Sequence, residues 1–157
     1  MVELREFLPN VVLIVTATVL FYAAMTDMRE FKIRNELVIA LACLYGVYAF
    51  VTGQWVTAYW NIALAVFMFA VMMYFFAQNM LGGGDVKILT VAFLWTGVRY
   101  ALPFTVLLLI FGGGHALLAQ RFTWFKVRRV EGRARIPFAP AVAASLIGVF
   151  VIKWSGF

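Results

Sequence analysis

Charged side chains are scarce in this sequence: they make up 13% of its 157 residues, against 65% hydrophobic, where a soluble domain carries about 25% charged residues. A chain so poor in charge cannot cover a water-facing surface, which excludes an ordinary soluble domain and leaves an integral membrane protein. Cysteine occurs once, as Cys43 in an apolar stretch. That excludes an intramolecular disulfide and the paired-cysteine zinc arrangements, and Cys43 reads as a buried small hydrophobe. Histidine also occurs once, as His115. A metal centre needs several ligands, so His115 reads as a packing or polar contact, and no metal or other cofactor is expected. Glu3 and Glu6 offset Arg5, unlike the clearly positive start of a signal peptide, so the N-terminus reads as retained.

What is present is apolar length. At about 20 residues per crossing, the chain has room for about six transmembrane helices. The predicted fold is an all-α, polytopic membrane helix bundle forming a single domain over 1–157. The runs fall at 8–25, 37–51, 56–80, 85–98, 102–119 and 136–152. A charged connection covers 28–36, a turn is expected at Thr52-Gly53-Gln54, and a basic connection covers 121–135. Pro137 and Pro140 suit the first turns of the last helix, where missing amide donors cost little.

Sidedness follows from the cations, because short cytoplasmic loops are enriched in Lys and Arg. In the six-span reading, Arg29, Lys32, Arg34, Lys87 and the six cations of 121–135 share one side, while Arg5, Arg99 and Lys153 fall on the other. Both termini are then outside, and the aspartates lie at the cytoplasmic face. Reading 85–119 as one bent element would break the alternation and put the basic connection opposite Asp27, against the charge pattern. Arg99 reads as a snorkelling cation. Trp55, Tyr59 and Trp60 near the outer end, with Trp124 near the inner, read as interfacial aromatics. Topology and contact with an anionic lipid bilayer account for the basic run, so no nucleic acid partner is expected.

Only two aspartates occur, Asp27 and Asp85, each where an apolar stretch gives way to a polar turn. An ionisable group in the bilayer costs roughly 2.5–3.5 kcal/mol on insertion scales and persists for a job or with a partner. If the first and fourth helices pack side by side, the two carboxyls meet, share a proton and activate one water, serving as base toward water and acid toward a leaving amine. Asp85 opens a helix, whose dipole, with Lys87, favours an anion; Asp27 closes one, where the dipole opposes negative charge. The shared proton is therefore expected on Asp27. Gly82, Gly83 and Gly84 either let a peptide approach the backbone closely or mark a helix break or packing contact. Lys87 reads as an orienting group for a carboxylate or as a membrane-edge anchor. Asn35 reads as a hydrogen-bonding support for the loop after Asp27.

The stretch Gly82-Gly83-Gly84-Asp85-Val86-Lys87-Ile88 resembles the Gly-x-Gly-Asp-x-Lys-Leu motif of the type IV prepilin peptidases. Asp27-Met28-Arg29-Glu30-Phe31-Lys32-Ile33-Arg34-Asn35 is similar to that family's other aspartate motif, which ends in Ile-Pro-Asn, and Ile136-Pro137-Phe138-Ala139-Pro140 resembles its late Pro-Phe-x-Pro segment. The likeness is to the short members of tight-adherence pilus systems. Presenilin-type proteases share the Gly-x-Gly-Asp core but not the second motif or the small size. The resemblance implies a membrane aspartic endopeptidase of the bacterial cytoplasmic membrane. Its catalytic pair would be Asp27 and Asp85, and it would remove a short basic leader from a prepilin or pilin-like substrate. Two departures stand out. Arg34 replaces the usual proline, and the cysteine pairs of longer, bifunctional relatives are lacking, so methyl transfer is not expected. Two other readings compete: a small proton-coupled transporter using the acids as a relay, and a non-catalytic pilus assembly factor. A relay would sit nearer the middle of the bilayer.

Overall fold

The computed structural model describes residues 2–121, 128–130, 133–135 and 137–155, with side chains described over 7–118 and 137–155. Among them are five helices and one hairpin: α1 (Val2–Glu30), α2 (Asn35–Thr52), α3 (Trp55–Ala77), α4 (Gly83–Arg121), β1 (Arg128–Val130), β2 (Arg133–Arg135) and α5 (Ala139–Trp154). Four helices, Phe7–Glu30, Asn35–Thr52, Trp55–Ala77 and Gly83–Leu118, are long and apolar enough to cross a membrane, while Ala139–Trp154 is apolar but shorter. The bundle carries large apolar side chains on its outside, with Val56 78% and Leu109 71% exposed. In lipid such a surface needs no cover.

Left-handed residues end the first three helices. Phe31 (φ 53°) stops α1 and donates its N–H to Asp27 O at 2.9 Å. The run expected to end at 25 therefore continues to Glu30, Asp27 lies inside the helix, and the connection shrinks to 31–34. Gly53 (φ 66°) closes α2, with Gln54 N–H reaching Ala49 O at 3.2 Å. This is the glycine C-cap that the expected 52–54 turn called for. Asn79 (φ 59°) does the same after α3, with Met80 N–H on Phe75 O at 3.0 Å, so that helix stops at Ala77 rather than 80.

Within α4, Gly97 has φ 61° and ψ −174°, a combination essentially confined to glycine. The rings of Phe93 and Phe104 nevertheless lie 5.2 Å apart, whereas along a straight helix axis those residues would be separated by about 16 Å. The chain therefore doubles back at Gly97. The gap expected at 99–101 between the fourth and fifth runs is in fact a single residue, Gly97. Asn61 of α3 fills the break: its Oδ1 accepts the Val98 N–H at 3.3 Å, and its Nδ2 donates to Tyr45 Oη at 2.9 Å. Lys153 of α5 donates to the Trp95 carbonyl at 3.1 Å. Backbone groups released by a broken helix in lipid must find partners inside the protein, and these two side chains supply them.

α5 is the inner helix. Ala139, Val142, Leu146 and Val149 are fully buried, and it packs on α1 and on both arms of α4. Phe150 meets Trp95 at 5.4 Å, and Gly112 faces Ala141. Small residues let backbones approach where hydrophobicity gives helices no reason to associate. α5 starts at Ala139 rather than 136, so Pro137 precedes the helix and only Pro140 lies in its first turn.

Two further expectations change. Cys43 is exposed, because an apolar residue in a membrane helix can face outward as readily as inward. The basic connection contains an antiparallel pair in which Val130 partners Arg133. Trp124 and the other side chains of 119–136, and those of Glu3, Arg5 and Glu6, lie outside the described residues.

Replacing Gly97 with alanine should lower stability by roughly 2–3 kcal/mol, since strain of about 1–3 kcal/mol is joined by collision with Asn61. The thermal midpoint of the purified protein in detergent checks this; a wild-type midpoint in Gly97→Ala would show that the reversal does not need glycine.

Candidate active site

Asp27 lies in the last turn of α1 and is only 5% exposed. Its position is set by the start of α5. That helix has no side-chain cap of its own, and Pro140 has no N–H to offer, so the Ala139 amide is an unsatisfied helix-start donor. Asp27 Oδ2 accepts it at 2.9 Å, and the Phe138 amide is directed at the same carboxylate. In effect Asp27 caps α5 from another helix. His115, on the returning arm of α4, lies close enough to interact with it electrostatically. His115 is thus a polar neighbour of the acid, a role that an isolated histidine in a Gly-rich run could not reveal.

Asp85 occupies the first turn of α4, half-buried, where its Oδ2 accepts the Gly82 N–H at 3.3 Å. Helix starts favour negative charge, and here both carboxylates face one: Asp85 that of α4, Asp27 that of α5. Asp27 thus closes α1 while facing the start of α5, which narrows the dipole contrast with Asp85 but leaves Asp27 at a helix end.

The two acids come to one end of the bundle, though not by the packing expected. No Cα of α1 lies within 8 Å of one in α4; instead α2 and α5 each pack on both. What joins the neighbourhoods is the 31–34 connection and the residues around it. A Cβ on Gly84 would sit 3.4 Å from Ile33 Cβ, so Gly84 serves close packing against the loop that follows Asp27. Gly83 faces Phe76, and a Cβ on Gly82 would lie 3.0 Å from Asp85 Oδ2. Lys87 Nζ donates to Asn35 Oδ1 at 2.9 Å. Lys87 and Asn35, selected separately from the sequence, thus bond to each other and tie the Asp85 helix to the segment after Asp27. An open groove of about 550 Å³ runs between them, lined by residues 31–36, Gly84 and Lys87. Among the described residues no group of three or more His, Cys, Asp or Glu side chains could hold a metal.

Arg34 has φ −71° and ψ 137°, within the range a proline ring imposes. Arginine therefore holds the backbone as proline would, and adds an exposed pair with Glu30 at 3.6 Å.

An apolar helical bundle with two acids from distant segments brought to one end, and a loop-lined groove at that end, defines a helical protein with membrane-length spans. The sequence profile of the type IV leader peptidase family matches residues 14–117, and the chain belongs to that family. The match spans both aspartates, while the Ala139 amide that holds Asp27 lies beyond it. No curated protein and no solved structure matches the chain. Membership makes it a peptidase that processes prepilin-like substrates, and together with the apolar helices it indicates an inner-membrane protein.

Substituting proline at Arg34 should leave stability unchanged or raise it by about 0.4–1 kcal/mol, by restricting the unfolded chain, less the few tenths an exposed ion pair contributes. Thermal unfolding of Arg34→Pro tests this, and a clear drop in midpoint would show that the loop does not have proline-like geometry.

Proposed function

We propose that this protein is a metal-independent aspartic endopeptidase that uses Asp27 and Asp85 to cut a leader from a prepilin-like substrate at the cytoplasmic membrane face. The observation that carries this reading is the convergence of the only two aspartates, one nearly buried and one half-buried, at a single end of the bundle. One carboxylate removes a proton from water as the water oxygen attacks the scissile carbonyl carbon. The protonated partner then delivers its proton to the leaving nitrogen as the C–N bond breaks. Lys87 and Asn35 hold the two neighbourhoods in register, and Gly82, Gly83 and Gly84 let the backbone beside Asp85 pack closely on Phe76 and on the loop after Asp27. The groove along residues 31–36 suits the substrate segment next to the cleavage point.

With α4 counted as two arms, the chain makes six crossings as one domain over 1–157, with both termini outside. Positive loops then share the face that holds the acids. A transporter relay fits less well, because the acids lie at a helix end rather than at mid-depth.

Incubation of the purified protein with a matched prepilin, followed by mass measurement of leader loss, tests the dyad. Asp27→Asn and Asp85→Asn should each slow cleavage by at least a hundredfold to ten-thousandfold, about the contribution of a positioned acid or base. Asparagine retains an acceptor for Ala139, so a parallel unfolding curve separates lost chemistry from a lost fold. Full processing by both variants would discard the dyad, and binding without cleavage by wild type would favour an assembly factor.

A further inference from the structure

At the end of the bundle away from the aspartates, the reversal at Gly97 leaves a second cavity, of about 490 Å³, between α2, α3, the Gly97 bend and the end of α5. Two cations reach it, Lys153 and Arg99. Lys153 is half-buried, donates one proton to the Trp95 carbonyl at 3.1 Å, and lies over the rings of Tyr48 and Tyr100 at 5.5 and 5.4 Å. Arg99 lies over the Tyr100 ring at 5.4 Å. Among the described residues no carboxylate lies within 4.0 Å of either cation.

A charge withdrawn from water is normally paired, yet the half-buried Lys153 shares this cavity with a second cation, the exposed Arg99, and among the described residues the lining opposite them is tyrosine rings and neutral polar side chains such as Thr52, Gln54 and Thr57. The ammonium has three donors, and the Trp95 carbonyl takes one. Trp55 and Trp154, 58% and 80% exposed at the same end of the bundle, are the amphipathic rings found at headgroup level in membrane proteins. The cavity thus combines positive charge, aromatic walls and a position level with lipid headgroups. We propose that it binds the phosphate of an anionic phospholipid from the adjacent leaflet, with Lys153 and Arg99 as the paired cations and the acyl chains lying along the apolar outer surface. A free phosphate would meet the same cations but would gain nothing from that apolar surface.

Native mass spectrometry of the full chain in detergent, titrated with phosphatidylglycerol, phosphatidylcholine or inorganic phosphate, tests the site without reference to cleavage. Wild type should hold phosphatidylglycerol saturably and in preference to phosphatidylcholine. Arg99→Gln and Lys153→Gln should each weaken it about fivefold, as expected for one cation near a lipid surface, with recovery in Lys153→Arg. Lys153→Gln also uncaps the Trp95 carbonyl, so Arg99→Gln, whose side chain caps no backbone group described, decides the matter if the former fails to fold. Equal retention of the two lipids, or unchanged affinity in Arg99→Gln, would overturn the proposal. Displacement of phosphatidylglycerol by equimolar inorganic phosphate would overturn the lipid as the source. None of these failures bears on the aspartates at the other end.

Discussion

The hydrogen bond from the Ala139 amide to Asp27 joins the end of α1 to the start of α5, and the architecture around the acids depends on it. Ala139 is fully buried and Asp27 nearly so, so the amide at this helix start must find its acceptor within the protein. Leaving such a buried donor without a partner costs about 1–3 kcal/mol. Pro140 removes one donor from that first turn, leaving the Ala139 N–H to be capped by a side chain from another helix. The same carboxylate is one of the two proposed to do chemistry, so its orientation comes from a structural bond rather than from the substrate.

A second constraint acts at the opposite end. Gly97 lets the long α4 reverse, and Asn61 and Lys153 take up the amide and carbonyl near the break. Because α4 returns, its second arm carries His115 back to Asp27, and α5 can pack against both arms at once. The two ends of the bundle are thus coupled through α5, whose first amide holds Asp27 and whose last turn holds the carbonyl of Trp95.

Much of the site was legible as residue types and motifs, and less of it as geometry. Asp27, Asp85 and the glycines stood out because acids in apolar surroundings are conspicuous and a Gly run before an acid is a local pattern. Asn35 and Lys87 were each legible as polar residues beside an acid, but their bond joins segments far apart in sequence. The side-by-side packing of the first and fourth helices was misjudged: from the sequence the last span could sit anywhere, and in fact α5 lies between them. Arg34 read as a departure because residue identity does not report backbone angle; at φ −71° it does what proline would do.

The sequence by itself determined the all-helical, apolar class of protein, the approximate places of its helices, and the two acids with their flanking motifs. All of these depend on composition and short-range order, which one strand of text contains. The tertiary structure decided which helix lies innermost, which amide Asp27 accepts, where α4 turns back, and that Cys43 faces outward. The reason is physical. Lipid tails are as apolar as a leucine core, so hydrophobicity does not mark an inner face; helix arrangement is selected by close contacts between small residues and by the few polar groups that must find one another across the fold.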